Sequence, residues 1–164
     1  MRQGLFTIVK NEKLAEDTYR MSLKGDTTSI TGPGQFVNIA LEGCFLRRPI
    51  SVCDYGPDSL VLIYKVVGKG TAQMSQLPEG AELDLLTGLG NGYDLEKSGE
   101  RPLLIGGGAG VPPLYTLAKQ LLAQGKHPAV ILGFNRAEEL FLQEEFQTLG
   151  VEVTVATADG SVGV

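Results

Sequence analysis

Apolar and polar residues alternate in short runs through the first half of the chain, then give way to unbroken apolar runs separated by longer stretches. The alternating runs are Phe6-Thr7-Ile8-Val9, Thr18 to Leu23, Gln35 to Leu41, Ile50 to Cys53, Ser59 to Val67 and Glu82 to Thr87. Period-two patterning of this kind predicts strands half-buried on one side. Turn residues separate them, among them Gly32-Pro33-Gly34 and the loop Asp54-Tyr55-Gly56-Pro57-Asp58. A row of short strands predicts an antiparallel barrel or sandwich. A short helix is predicted over Ala72 to Leu77 with Thr71 at its start, and Gly88-Leu89-Gly90-Asn91-Gly92 reads as a loop.

The polar segment Lys97-Ser98-Gly99-Glu100-Arg101 is the expected boundary, giving domains over 1–99 and 100–164. Beyond it the pattern predicts strand Pro102 to Ile105, helix Pro112 to Ala123, strand Ala129 to Phe134, helix Ala137 to Leu149 and strand Val151 to Ala156. Strand and helix alternate, so this sheet is expected to be parallel with right-handed crossovers. It stops after three strands, whereas a full dinucleotide crevice forms where the strand order reverses. The chain is therefore expected to be a fragment, its nucleotide-binding half incomplete.

At 164 residues, 43% hydrophobic and 20% charged, the composition is that of an ordinary globular protein. A net charge of -5 argues against nucleic acid, whose phosphates need a basic surface. Within this acidic chain Arg47, Arg48, Lys65 and Lys69 lie close together in sequence, which points to a small anionic ligand. Met1 to Lys10 has no apolar run suited to a signal peptide and no segment reaches the roughly 20 apolar residues of a membrane span. Cytoplasm is the expected compartment. Cys44 and Cys53 match no zinc or iron–sulfur spacing and read as buried small hydrophobes; His127, beside Pro128, reads as a surface residue.

Three stretches carry candidate chemistry. In Leu46-Arg47-Arg48-Pro49-Ile50-Ser51-Val52, proline holds Arg48 extended, so that Arg48 and Ser51 suit a diphosphate while apolar neighbours lie against a flat ring. The alternative is a pair of solvated charges at a strand entrance. In Ile63-Tyr64-Lys65-Val66-Val67-Gly68-Lys69-Gly70-Thr71 a strand leads through two glycines to a helix start, a second phosphate cradle or simply a capped turn. Tyr64 reads equally as a stacking platform or as core. Gly106-Gly107-Gly108-Ala109-Gly110-Val111-Pro112-Pro113 lies between strand and helix, where the pyrophosphate of a dinucleotide binds, although Val111 replaces the last glycine of the usual spacing. Pro112 suits the first turn of the helix. Asn135-Arg136 stands where an acid for the ribose of NAD is expected, so NAD and NADP remain open.

These three stretches, in this order, resemble the ferredoxin-NADP reductase superfamily. Within it, Arg47 to Ser51 and Tyr64 to Thr71 look most like the electron-transfer subunits of NAD-dependent bacterial dihydroorotate dehydrogenases. The resemblance implies an FAD-binding barrel joined to an NAD-binding α/β domain, with FAD between them and NAD(H) as co-substrate. By position it implies Arg48 and Ser51 on FAD phosphate and flavin, and Pro49 and Ile50 lining the ring. It further implies Ile63, Tyr64 and Lys65 along the flavin and ribityl arm, Gly70 and Thr71 on the diphosphate, and Gly106, Gly107, Gly108, Ala109 and Gly110 facing the nicotinamide nucleotide. The partner it implies is an FMN-containing dihydroorotate dehydrogenase catalytic subunit in a heterotetramer serving pyrimidine synthesis. The family's [2Fe-2S] cluster needs four C-terminal cysteines that this chain lacks, and no catalytic side chain or metal ligand is expected. The alternatives are the flavin subunit of a related NADH-dependent ferredoxin reductase or sulfide dehydrogenase, and a docking module without cofactor.

Overall fold

The six alternating segments close on themselves. In the computed structural model, which describes residues 1–163, they form β1 (Arg2–Ala15), β2 (Thr18–Lys24), β3 (Phe36–Ile39), β4 (Arg48–Tyr55), β5 (Ser59–Lys65) and β6 (Glu82–Leu89). The barrel order is β1-β2-β5-β4-β3-β6, and every pairing is antiparallel. Its interior holds Phe6, Ile8, Met21, Val37, Leu62 and Leu85, each almost free of solvent.

β1 is much longer than its predicted core of Phe6 to Val9, because polar residues continue the strand. Register shifts after Ile8 and after Lys13 bend it, so that its first half pairs with β6 and its second half with β2. The turn after β4 is likewise tighter than expected, since Asp54 and Tyr55 belong to the strand.

Helix α1 (Lys69–Ser75) begins earlier than the predicted Ala72, and Thr71 lies inside its first turn rather than capping it. Its Oγ1 instead accepts hydrogen bonds from the N–H groups of Val67 (2.9 Å) and Gly68 (3.2 Å), reaching back ahead of the helix.

The second half forms β7 (Leu103–Gly107), α2 (Pro113–Ala123), β8 (Ala129–Phe134), α3 (Gln143–Thr148) and β9 (Glu152–Thr157), with a parallel sheet in the order β7-β8-β9. Pro113, not Pro112, is the first residue of α2. The helix predicted over Ala137 to Leu149 is broken. A 3-10 turn at Ala137–Glu139 is followed by Leu142 in the left-handed region (φ 66°), and α3 starts only afterwards. Phe141 and Leu142 are both buried. Consecutive helical side chains diverge by ~100°, so leaving the helix lets both turn inward.

One sheet face packs through Leu104, Val130, Leu132 and Val155 against α2 and α3. Leu103 and Ile105 on the other face are 56% and 67% exposed. Cys53 and Ile63 of the barrel belong to the same apolar cluster, so barrel and sheet share a core. Polar contacts pin that junction: Thr116 Oγ1 donates to Cys53 O (2.8 Å), and Lys119 Nζ meets both oxygens of Asp54 at 2.9 Å. Among the described residues no helix is long and apolar enough to cross a membrane.

Arg47 leaves the predicted cationic cluster to serve the barrel. Its Nη1 donates to Asn38 O, Asp84 O and Asp84 Oδ1 at 3.0–3.2 Å, tying β3 to β6. Burial works to raise the Asp84 carboxyl, but Arg47 and Gln3 outweigh it and hold it below its ordinary value of 3.8. A carboxyl depressed on folding adds stability above its unfolded pKa, and that stability is lost as pH falls through the folded value. Thermal melts taken down through about pH 4 are therefore expected to show a shallower loss of stability in Asp84→Asn than in the parent. Parallel pH profiles would remove this role.

Candidate functional site

The predicted residues gather into two groups joined by β5. The first is at the barrel rim, where the Arg48 guanidinium lies on the backbone of Gly70. A Cβ added at Gly70 would stand 2.9 Å from Arg48 Cζ and 3.0 Å from Nη2. Glycine is thus required for this arginine to occupy its place. Among the described residues Arg48 meets a single acceptor, Leu46 O, through Nη1, whereas Arg47 has three. Two adjacent arginines that look alike in sequence are separated by geometry: one is spent on the barrel, and most donors of the other are uncommitted.

Helix α1 is fixed against the barrel by Asn11, whose Nδ2 donates to Met74 O (2.9 Å) and Leu77 O (3.1 Å). The Tyr64 hydroxyl in turn donates to Asn11 Oδ1 (2.9 Å). The Tyr64 ring is 2% exposed and stacked on Tyr19, with centroids 5.8 Å apart. Its side chain is part of the barrel core. Burial first of all pushes the phenol up to about 12, against the opposing bond to Asn11. Asn11 was not singled out from the sequence, where it is one polar residue among several in β1. Tyr64→Phe is expected to cost ~1 kcal/mol in denaturant unfolding, the ordinary worth of one hydrogen bond. An unchanged midpoint would mean that α1 is held by other contacts.

Within β4 the period of two puts Arg48 and Ile50 on one face and Pro49 and Ser51 on the other. One ligand touching both Arg48 and Ser51 must therefore wrap across the strand. Val52 pairs with Leu62 inside the barrel, so Ser51 and Ile63, each one step along, both face outward.

The second group lines the junction between barrel and sheet. Ile63, Tyr64 and Lys65 line a narrow cleft together with Gly108, Ala109 and Phe141. It continues into a wider, open cleft at the carboxyl ends of the parallel strands, where Gly107, Gly108, Gly133, Ala156 and Ala158 leave room for a ligand. Gly106 is needed for packing, since a Cβ there would meet Leu114 Cδ1 at 2.7 Å and Gly110 O at 2.9 Å. Gly108 takes a positive φ of 50° with open space beside it, and Gly110 also faces open space. The carboxyl end of a parallel sheet beside a glycine turn is where open α/β sheets bind nucleotides.

Lys65 Nζ lies 3.5 Å from Glu139 Oε1 in this cleft. Glu139 also escaped the sequence reading, because it fell within the predicted helix over Ala137 to Leu149. Of the predicted cationic cluster, then, Arg47 and Lys65 have acidic partners, Lys69 is exposed, and Arg48 is held by a carbonyl alone.

Among the described residues no group of three or more His, Cys, Asp or Glu could hold a metal ion. Cys53 is buried, and burial, followed by Asp54, pushes its thiol up to about 12. Cys44, expected to be buried, is half-buried at the surface of α1, with Sγ 3.9 Å from Gln73 Oε1. His127 is exposed.

No family model matches the chain. Among solved structures it is similar to a chain of the NADH-dependent reduced ferredoxin-NADP oxidoreductase, with TM-score 0.87 and 34% identity over 98% of this chain and 59% of that one. Phthalate dioxygenase reductase superposes with TM-score 0.82 at 21% identity, over 96% and 52% of the two chains. A six-stranded antiparallel barrel followed by a parallel sheet with helices is thus the fold of the ferredoxin-reductase-like oxidoreductases. At the level of sequence the chain resembles, along nearly its whole length, proteins named dihydroorotate dehydrogenase B (NAD(+)), electron transfer subunit. That of Fusobacterium nucleatum is 45% identical over 96% of this chain and 63% of its own length, and that of Bacillus pumilus 40% identical over 99% and 66%. The chain spans just under two thirds of the length of these relatives.

Proposed function

We propose that this chain is the FAD-binding part of an electron-transfer subunit linking NAD(H) to a dihydroorotate-oxidising, FMN-containing partner in pyrimidine synthesis, the two assembling as a heterotetramer. The observation that carries this reading is the pairing of Arg48 with Gly70 on the same β5–α1 unit whose strand end, Ile63 to Lys65, faces the glycine turn of the sheet. The barrel residues 1–99 would hold FAD. Residues 100–164 would receive the nicotinamide nucleotide.

The donor set fits FAD. Arg48 offers a planar fork for phosphate oxygens, and Gly70 leaves room for that fork beside the start of α1. Thr71 holds the preceding loop, with Ser51 and Ile63 on the outer barrel face. Pro49 is exposed beside them, while Ile50 packs against the barrel interior and supports the strand. Across the cleft, the small residues from Gly106 to Gly110 would admit the nucleotide.

FAD, when bound, supplies the acceptor for hydride, and the chain's task is to orient the two rings and keep water from between them. No acid–base side chain is needed. A [2Fe-2S] cluster does not fit the residues present, because Cys44 and Cys53 are the only cysteines and lie in different environments.

The similarity to the NADH-dependent reduced ferredoxin-NADP oxidoreductase supports a second reading, the same flavin-binding role with a ferredoxin-type partner. Purified protein titrated with FAD and then with NADH under anaerobic conditions tests the flavoprotein core of both. Bound FAD that NADH bleaches is expected; protein that takes up no FAD is a docking module instead. Co-purification with a dihydroorotate-oxidising subunit, rather than a ferredoxin, separates the two partners.

A further inference from the structure

We infer that Glu139 is the counter-ion of Lys65 in the flavin cleft and, by offsetting its charge, holds down the reduction potential of the bound flavin. The inference rests on the flavoprotein reading above and adds to it a residue with no place in the three sequence motifs.

Lys65 and Glu139 line both the narrow cleft and the wide one, and among the described residues they are the only charged side chains that do. Their charged atoms are 3.5 Å apart, and the Glu139 side chain is only 16% exposed. The other carboxylate oxygen, Oε2, accepts the Asn135 N–H at 3.1 Å, so the group is held from two sides. Burial raises the Glu139 carboxyl, but the Asn135 N–H and then Lys65 outweigh it and keep it below its ordinary range. Arg136, the nearest other cation in sequence, is committed to Glu16 at 2.6 Å. With the pair intact, the cleft lining is neutral.

That neutrality has a consequence for redox chemistry. A flavin reduced by hydride gains two electrons and one proton, hence one net negative charge. An unmatched ammonium beside the flavin would favour the reduced form, and a carboxylate beside that ammonium offsets the preference. Glu139 thus acts through Lys65, as a positioning and tuning residue that keeps the flavin reducible without trapping electrons on it.

The test is a reductive titration of FAD-loaded protein against a reference dye. Glu139→Gln is expected to raise the ratio of reduced to oxidised flavin at a fixed potential by threefold to tenfold, and tenfold corresponds to about 30 mV for a two-electron couple. Glu139→Asp should stay near the parent, and Lys65→Met should move the ratio the other way. Glu139→Gln that binds FAD as the parent does and titrates at the same potential overturns the inference. So does a lower melting temperature with no change in potential, which assigns the pair to docking of barrel and sheet alone. Parent protein that takes up no FAD overturns the functional reading together with it.

Discussion

Arg48→Ala is expected to weaken FAD binding by roughly ten- to a hundredfold, the loss of about 1.5–3 kcal/mol that accompanies removal of a hydrogen bond from a charged donor. The guanidinium lies on Gly70 with one protein acceptor, Leu46 O, so its remaining donors are available to phosphate oxygens. Arg48→Lys should recover only part of the affinity, because a single ammonium cannot reproduce a planar fork. Arg47→Ala provides the contrast. It breaks the bonds to Asn38 O and Asp84 and should lower stability in denaturant while leaving the diphosphate donors in place. Quenching of flavin fluorescence on titrating apoprotein reads both. Equal affinities for Arg48→Ala and the parent would take the diphosphate away from this rim.

Gly108→Val should cut the rate at which NADH reduces FAD, measured per FAD bound, by about a hundredfold or more. Gly108 combines a φ of 50° with open space on the cleft side, opposite Lys65. A β-branched side chain there carries backbone strain of order 1–3 kcal/mol and pushes into the space that the nicotinamide would occupy. Displacing one ring by ~1 Å from its partner suffices for a hundredfold loss. Anaerobic stopped-flow reduction measures it directly. Unimpaired reduction would place the nicotinamide elsewhere than this turn.

The barrel was legible because each of its strands buries one face, so that Thr18 to Leu23 or Glu82 to Thr87 alternates visibly. The parallel sheet was legible from the opposite pattern, short apolar runs separated by helical lengths. Where the reading missed, the cause lies in contacts between distant residues. Polar residues from Lys10 to Lys13 continue β1 because β2 pairs with them, and no local alternation reveals that. The early start of α1 depends on Thr71 turning its hydroxyl back to Val67 and Gly68, whereas a threonine at a helix start ordinarily reads as the cap itself. The break before α3 follows from burying Phe141 and Leu142 together.

The candidate site divides in the same way. Glycines between a strand and a helix are a local signal, and so is an arginine before Pro49. The division of labour between Arg47 and Arg48 depends on Asp84, and the inward turn of Tyr64 on Asn11. The pairing of Lys65 with Glu139 joins residues from opposite sides of the junction, and such long-range partners leave no trace in spacing.

The most direct measurement is a crystal structure of the protein grown with FAD. The account predicts diphosphate oxygens within about 3.2 Å of the Arg48 guanidinium, beside Gly70, and the flavin ring at the cleft between Ile63 to Lys65 and Gly108. A diphosphate bound elsewhere on the barrel, or a flavin ring turned away from that cleft, would contradict it.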